Sequence, residues 1–337
     1  MFLAVIKDVA KLAGVSTSTV SKYLNNPNSL KEINRNAVED AIQKLNYKPN
    51  LFARNLRVQS SRTIAVIAQE ITNPFHATIY NTIRKEAQKE KYSVILYSIN
   101  DIDGNINSLF ESMPISYLSG IIVCYFHDMD KSIDFAISNK NFPFVIMSND
   151  ENYLEDENYK IVYGDFASGM SDVTKHLLEL GKKKIAYVGC MTRRPEREPK
   201  FKNFMKVMNE YGLQPHSVTR LQKEYNTETG YESAKIILSM QERPDAILVD
   251  NDIMAMGVLR CLADYNVKVP DDVLVTGFDD IIMASVYCPA LTTVHVPIEE
   301  MSIEAFRLIL AQINKEPIIE EAPKFIPHLV VRETTKK

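Results

Sequence analysis

From residue 62 onward the chain alternates two kinds of segment, and few folds accommodate that alternation. Short continuous apolar runs (TIAVIAQ, YSVILYS, GIIVCYF, PFVIMS, KIAYVG, AILVDN and VLVTGF) are separated by stretches that read as helices, such as ATIYNTIRKEAQKEK and FASGMSDVTKHLLELG. Strands that are apolar along their whole length are buried on both faces, as in parallel sheets covered by helices. The roughly 275 residues of this region exceed what one such sheet organises, so two α/β subdomains are expected.

The first 60 residues obey a different rule. In IKDVAKLAGVS, Ile6, Val9, Ala10 and Ala13 form one helical stripe. Gly14 then breaks it, in a position suited to a left-handed cap. Ser16 comes next as an N-cap whose hydroxyl reaches the amide near Thr19. In the next helix Val20 and Leu24 face inward with Val15, which leaves Thr17, Ser18, Ser21 and Lys22 on the outward face. A third helix carries Ala37, Val38, Ala41, Ile42 and Leu45 at helical spacing and ends before NYKPN, where Pro49 forbids continuation. Helix, glycine turn, helix and a supporting third helix make the helix-turn-helix pattern, whose second helix enters a DNA major groove. Small hydroxyls at its start let the backbone approach phosphates and base edges, and Lys22 is long enough for guanine O6 and N7. A solvated surface also presents Ser and Thr, so charge matters here. Residues 1–62 hold ten Lys or Arg against four acids, a surplus of six, and the remainder is ten negative to give −4 overall. A basic head on an acidic body points the head at a polyanion. The segment PNLFARNLRVQSSRT then sets Leu51, Phe52 and Leu56 among arginines. It reads either as a marginal helix that forms against a DNA minor groove or as an ordinary linker.

IKDVAKLAGVSTSTVSKYLNN, LNYKPNLFARNLR, TIAVIAQEITNPF, DNDIMAMGVLRCLADYNVKVPDDVLVTGFDD and PALTTVHVP together resemble the lactose/galactose repressor (LacI/GalR-type) transcription regulators, over nearly the whole chain. The resemblance implies an all-α DNA-binding head at 1–48, a hinge helix and linker at 49–61, and a two-lobed, periplasmic-binding-protein-like core at 62–337. Its N-lobe would take 62–161 and 295–320, and its C-lobe 162–293 and 321–337. On matching positions, Thr17, Ser18 and Lys22 resemble base readers, and Ser16, Thr19, Ser21 and Asn25 resemble phosphate-contacting or capping residues. Leu56 resembles a leucine levered into the minor groove, with Ala53 beside it. Two departures stand out: Val5 and Lys31 occupy positions where the family usually caps its first and third helices with Thr and Ser.

Open α/β sheets bind ligands beyond the carboxyl ends of their strands. The residues just beyond those ends are Asn73, Phe75 and His76; Tyr125 and His127; the basic loop with Arg193, Arg194, Arg197 and Lys200; Asp250, Asn251 and Asp252; and Asp279 and Asp280. Aromatic faces with Asp, Asn and Arg suit a polyhydroxylated ligand. The resemblance places Phe75, Tyr125, His127, Arg194, Lys200, Tyr225, Asn251 and Asp279 at effector-lining positions. Lys200 stands where many relatives carry an Arg, so its contact must differ, because Lys lacks the bidentate fork. The four cations of the loop raise the expectation of an anionic effector, a sugar phosphate or sugar acid.

The function expected is a repressor of carbohydrate-utilisation genes, a homodimer on a pseudo-palindromic double-stranded operator, controlled by a sugar or sugar-derived effector. The alternative is a catabolite-control-type regulator whose corepressor is a phosphorylated phosphocarrier protein. An enzyme is not expected. There is no Gly-x-Ser-x-Gly elbow, no His-x-x-x-His pair and no Walker-type loop among 11 glycines, and the aspartates read more simply as ligand-binding than as hydrolytic acids. No cofactor or metal is expected. Cys124, Cys190, Cys261 and Cys288 lie far apart, as buried thiols of a reducing cytoplasm would. Lys7 and Asp8 interrupt the N-terminus too early for a secretory signal, and no apolar run is long enough to span a bilayer.

Overall fold

The computed structural model describes residues 4–25, 27–47, 62–69, 71–99, 106–124, 130–149, 156–190, 198–221, 224–318 and 323–336. The chain divides into two compact units, Met1–Ser61 and Arg62–Lys337.

The first unit holds helices α1 (Ile6–Ala13), α2 (Thr17–Asn25) and α3 (Glu32–Lys44). Val9, Ala10, Val20, Val38 and Ala41 are its buried core, ringed by Ile6, Ala13, Val15, Leu24, Ile42 and Leu45. Gly14 ends α1 in the left-handed region at φ 64°, and Val15 N–H then reaches back to Ala10 O at 3.1 Å. Neither departing cap position is replaced by a side-chain cap: Val5 and Lys31 make none. Asp8 partly compensates at α1, because its carboxylate accepts the Val5 N–H at 2.9 Å. Helix α3 stops before Pro49 can act. Asn46 turns left-handed at φ 45° and Tyr47 N–H bonds Ile42 O at 3.0 Å, so a C-cap terminates the helix.

The second unit begins with five strands, β1 (Thr63–Ala68), β2 (Ser93–Ser98), β3 (Gly120–Cys124), β4 (Phe144–Ser148) and β5 (Lys160–Tyr163). Helices α4 (Pro74–Lys89), α5 (Ile106–Ser112) and α6 (Asp130–Ser138) connect them, and every pairing is parallel in the order β2-β1-β3-β4-β5. After α7 (Phe166–Glu179) comes a second parallel sheet of β6 (Ile185–Cys190), β7 (Ser217–Leu221), β8 (Ala246–Val249) and β9 (Leu274–Thr276), ordered β7-β6-β8-β9. Helices α8 (Pro199–Glu210), α9 (Thr227–Leu238) and α10 (Asp252–Asp264) link these strands, and α11 (Ile282–Val286) comes after them. Both sheets reverse their winding beside their first strand, between β1 and β3 and between β6 and β8, which is where such sheets leave a ligand crevice.

The lobes are joined by three nearby passages. The first leaves β5 through Gly164 and Asp165, where Asp165 N–H bonds Phe325 O at 2.9 Å and its carboxylate meets Lys324 Nζ at 3.1 Å. The second is β10 (Thr293–His295), which leads into α12 (Ile298–Asn314), packed on α4 and on strands β3 to β5. The third is β11 (His328–Val330), antiparallel to β10. Thr334 is fully buried, and its hydroxyl accepts the Thr292 N–H at 2.8 Å.

Cys124, Cys190 and Cys261 are buried free thiols, whereas Cys288 is exposed. Cys288 lies in the loop between α11 and β10, outside either sheet's core, so the expectation of four buried cysteines fails there. Among the described residues no helix is long and apolar enough to cross a membrane.

Candidate functional site

In the first unit the outward face of α2 presents Ser16, Ser18 and Lys22 exposed, with Thr17, Thr19 and Ser21 half-buried. Ser16 Oγ accepts the Thr19 N–H at 3.1 Å, the expected cap. The same hydroxyl lies 2.6 Å from Ser18 Oγ and 2.9 Å from Thr19 Oγ1, so these three form a small network in the unbound head. Asn25 closes α2. Ala53 and Leu56 lie outside the described residues, as do Tyr125, His127 and Arg194, and with them Arg193 and Arg197.

In the core, the remaining expected effector residues separate by environment. Phe75 is buried near the start of α4, edge-on to His76 at 5.4 Å and part of the main core; Asn73 caps that helix by accepting the Phe75 N–H at 3.0 Å. Asn251 is equally buried, and its Oδ1 caps α10 by accepting the Met254 N–H at 2.9 Å. These two therefore also serve the local fold.

Lys200 and Asp279 belong to a charged cluster beyond the ends of β6, β8 and β9. Lys200 Nζ donates to the Asp250 carbonyl at 2.8 Å, pairs with Asp250 Oδ1 at 3.0 Å, and sits 4.8 Å from the Phe278 ring centroid. Burial opposes its charge, but Asp250 and Asp279 outweigh burial and hold the ammonium above its ordinary pKa. Tyr187 donates its hydroxyl to the same Asp250 Oδ1 at 2.9 Å, and its ring packs against Phe201 and Phe204 at 5.0 and 5.1 Å. Burial raises the Tyr187 and Tyr225 phenols well above their ordinary value, with Asp250 contributing to both. Beside them Arg220 pairs with Glu198, donates to Cys190 O at 3.1 Å and stacks over Phe201. Sequence reasoning misses Tyr187, Glu198 and Arg220. A lone Tyr inside the apolar run KIAYVG is the available signal, but nothing marks Arg220 as lying on a strand.

Asp279 and Asp280 take left-handed-side backbones at φ 114° and 56°, uncommon for residues with a side chain. Asp280 is anchored: Arg332 Nη2 donates to its Oδ1 at 2.7 Å and His295 Nδ1 lies 3.0 Å from Oδ2. Asp279 N–H bonds Val294 O at 2.9 Å, while its half-buried carboxylate has no ion pair within 4 Å among the described residues. Burial lifts that carboxyl well above the usual range against the pull of Lys200. Behind it Asp252, fully buried, accepts from Thr293 Oγ1 and from Ile281 N–H. The result is a wall of carboxylates and phenols with one internally held lysine. Among the described residues no three His, Cys, Asp or Glu side chains gather as metal ligands.

Known proteins show the same two parts. Residues 5–50 match the family described as bacterial regulatory proteins, lacI family, and residues 174–335 match the periplasmic binding protein-like domain. The HTH-type transcriptional repressor PurR of Mannheimia succiniciproducens is 29% identical over 340 residues, covering 99% of each chain; that of Pasteurella multocida is 29% identical over 335 residues with the same coverage. In fold, the chain superposes on the lac repressor dimer bound to operator and the anti-inducer ONPF with TM-score 0.82 over 99% of both chains, at 24% identity. A LacI family transcriptional regulator from Lactobacillus casei with bound sucrose gives TM-score 0.72 at 23% identity, over 81% of this chain and 99% of that one. The chain belongs to the lacI family of bacterial regulatory proteins. It is a DNA-binding transcriptional repressor of that family, with a helical head and a two-lobed α/β core.

Proposed function

We propose that this repressor acts in the cytoplasm as a homodimer whose operator affinity is set by a small molecule held between the lobes. The observation that carries this reading is the charged wall around Lys200, Asp250 and Asp279, placed beyond the carboxyl ends of β6, β8 and β9 where a doubly wound sheet leaves its crevice. Carboxylates and phenols beside aromatic rings suit hydroxyl-rich ligands of the sugar class, and the fold relative from Lactobacillus casei carries sucrose. On the head, Thr17, Ser18 and Lys22 would read bases, and Ser16, Thr19, Ser21 and Asn25 would hold phosphates. Ala53 and Leu56 of the hinge would meet the minor groove. Phe75, Tyr125, His127, Arg194, Tyr225 and Asn251 would complete the effector pocket around Lys200 and Asp279.

Dimerisation is supported by an apolar surface on α11, where Ile282 and Val286 are 74% and 67% exposed and Met283 is also exposed. Two heads on one two-fold axis match a pseudo-palindromic operator. The test is a dye-based melt of the purified chain, which lacks Trp, against neutral sugars, sugar phosphates, sugar acids and planar heterocyclic bases. A ligand at 100 times its dissociation constant adds about 2.7 kcal/mol of stability, a shift of a few degrees. Silence across the panel, and unchanged operator binding with every member, would remove effector control from this reading.

A further inference from the structure

Among the described residues, the loop cation placed to hold an anionic ligand is already engaged. An ammonium has three N–H donors, and Lys200 Nζ lies 2.8 Å from the Asp250 carbonyl, 3.0 Å from the Asp250 carboxylate and 4.8 Å from the Phe278 ring centroid. The pair is shielded, with 18% of the Lys200 side chain and 5% of the Asp250 side chain exposed, so water screens it little. Asp250 is held in place. Its N–H is fixed to Val188 O at 2.9 Å between β6 and β8, and the Tyr187 hydroxyl holds its Oδ1. Gly189 permits the arrangement: a Cβ there would lie 2.9 Å from the Tyr187 ring. The neighbouring cation is equally committed, because Arg220 is paired with Glu198. Among the described residues, Asp279 is the carboxylate of this wall that faces Lys200 without forming an ion pair.

We infer that Asp250 is the specificity-determining residue of this cleft: by neutralising Lys200 from inside, it turns the site away from phosphate- and carboxylate-bearing effectors and toward uncharged or cationic molecules that donate hydrogen bonds to Asp279. The inference rests on the proposed effector cleft and narrows its ligand class, against the anionic effector that four clustered cations suggest. Of those four, the described one, Lys200, is bound to an acid fifty residues further along the chain.

The test uses the full chain and inorganic phosphate as the probe, titrated by calorimetry at fixed ionic strength. The unmodified protein is expected to show no saturable phosphate binding. Asp250→Asn, which keeps an acceptor for Tyr187 and the backbone carbonyl that Lys200 bonds, removes the carboxylate charge nearest Lys200. It is expected to bind phosphate saturably and at least about tenfold more tightly, as removing one charge of the opposite sign in a partly buried site requires. The double variant Asp250→Asn/Lys200→Met should lose that gain. Should Asp250→Asn not fold, Asp250→Ser serves in the same titration. Saturable phosphate binding by the unmodified chain that Lys200→Met abolishes overturns the inference. So does a folded Asp250 variant that gains nothing. Neither result bears on whether a small molecule controls operator binding, because that reading fails only in the ligand panel measured with DNA.

Discussion

Thr293 donates its hydroxyl to Asp252 Oδ1 at 2.5 Å, tying the first turn of α10 to the strand that leaves the C-lobe. Ile281 N–H takes the other oxygen at 2.9 Å, and a Cβ on Gly277 would fall 2.1 Å from Oδ1, so the carboxyl is tightly packed and hydrogen-bonded to neutral donors. Burial pushes its pKa from 3.8 up to about 7, against those hydrogen bonds. A carboxyl whose folded pKa is raised stays protonated in the native state after the unfolded chain has ionised. Its contribution to stability is therefore greatest below the unfolded value and is lost as pH rises from about 4 through about 7, at up to about 1.4 kcal/mol per pH unit. Asp279 shifts in the same direction, while His176, lowered by burial, works the opposite way. Urea midpoints at pH 5 and pH 7.5 should show a smaller fall for Asp252→Asn than for the unmodified chain; equal falls would assign the slope to other groups.

Arg332 pairs with Asp280, whose backbone is left-handed at φ 56°. Its Nη2 meets Asp280 at 2.7 Å and its Nη1 donates to Leu291 O at 2.9 Å, with both side chains largely buried. Arg332→Met should cost about 3 kcal/mol, the low end for removing one partner of a buried pair, since His295 still faces Asp280. Arg332→Lys should recover part of the loss, as read from chemical denaturation. A loss equal to a surface substitution would show the pair to be incidental.

Helices α9 and α10 approach through two glycines. A Cβ on Gly230 would lie 2.0 Å from Met254 O, and one on Gly257 1.9 Å from Thr227 O, both rigid backbone. Gly257→Ala should destabilise by about 1–3 kcal/mol or more, as overpacking does. Gly181→Ala, at φ +79° with nothing within 4 Å, should cost only the strain of a left-handed alanine, about 1 kcal/mol. Thermal melts that rank the two variants the other way would contradict the observed packing.

For the head, Lys22→Ala should weaken specific binding by about 1–3 kcal/mol while changing binding to random DNA less. Equal losses on both would make Lys22 a phosphate contact. Ser16→Ala removes the α2 cap and should lower the stability of the head by about 1 kcal/mol, measured by melting in the absence of DNA.

Much of this architecture is legible in the sequence because its signals are local. The stripe ending at Gly14, the Ser16 cap and the seven apolar runs each depend on neighbours a few residues away, and each forms its expected element. Other features are not local. SVTRL alternates too weakly to mark β7, and three-residue strands such as β10 and β11 exist only because they pair with each other. The partner of Lys200 is fifty residues distant and that of Asp280 fifty-two, so composition shows the charges but not their pairing. The basic loop therefore suggests a free cationic surface, although its described lysine is neutralised from within.

Effector control of DNA binding is tested most directly by operator affinity, measured by fluorescence anisotropy on a duplex selected from a random pool, with and without a saturating ligand from the melt panel. A change of at least about fivefold is expected, with the duplex shifting the ligand's affinity by the same factor, because linkage is reciprocal. Operator affinity that stays constant while the ligand saturates the core would show that the cleft does not govern the DNA-binding head.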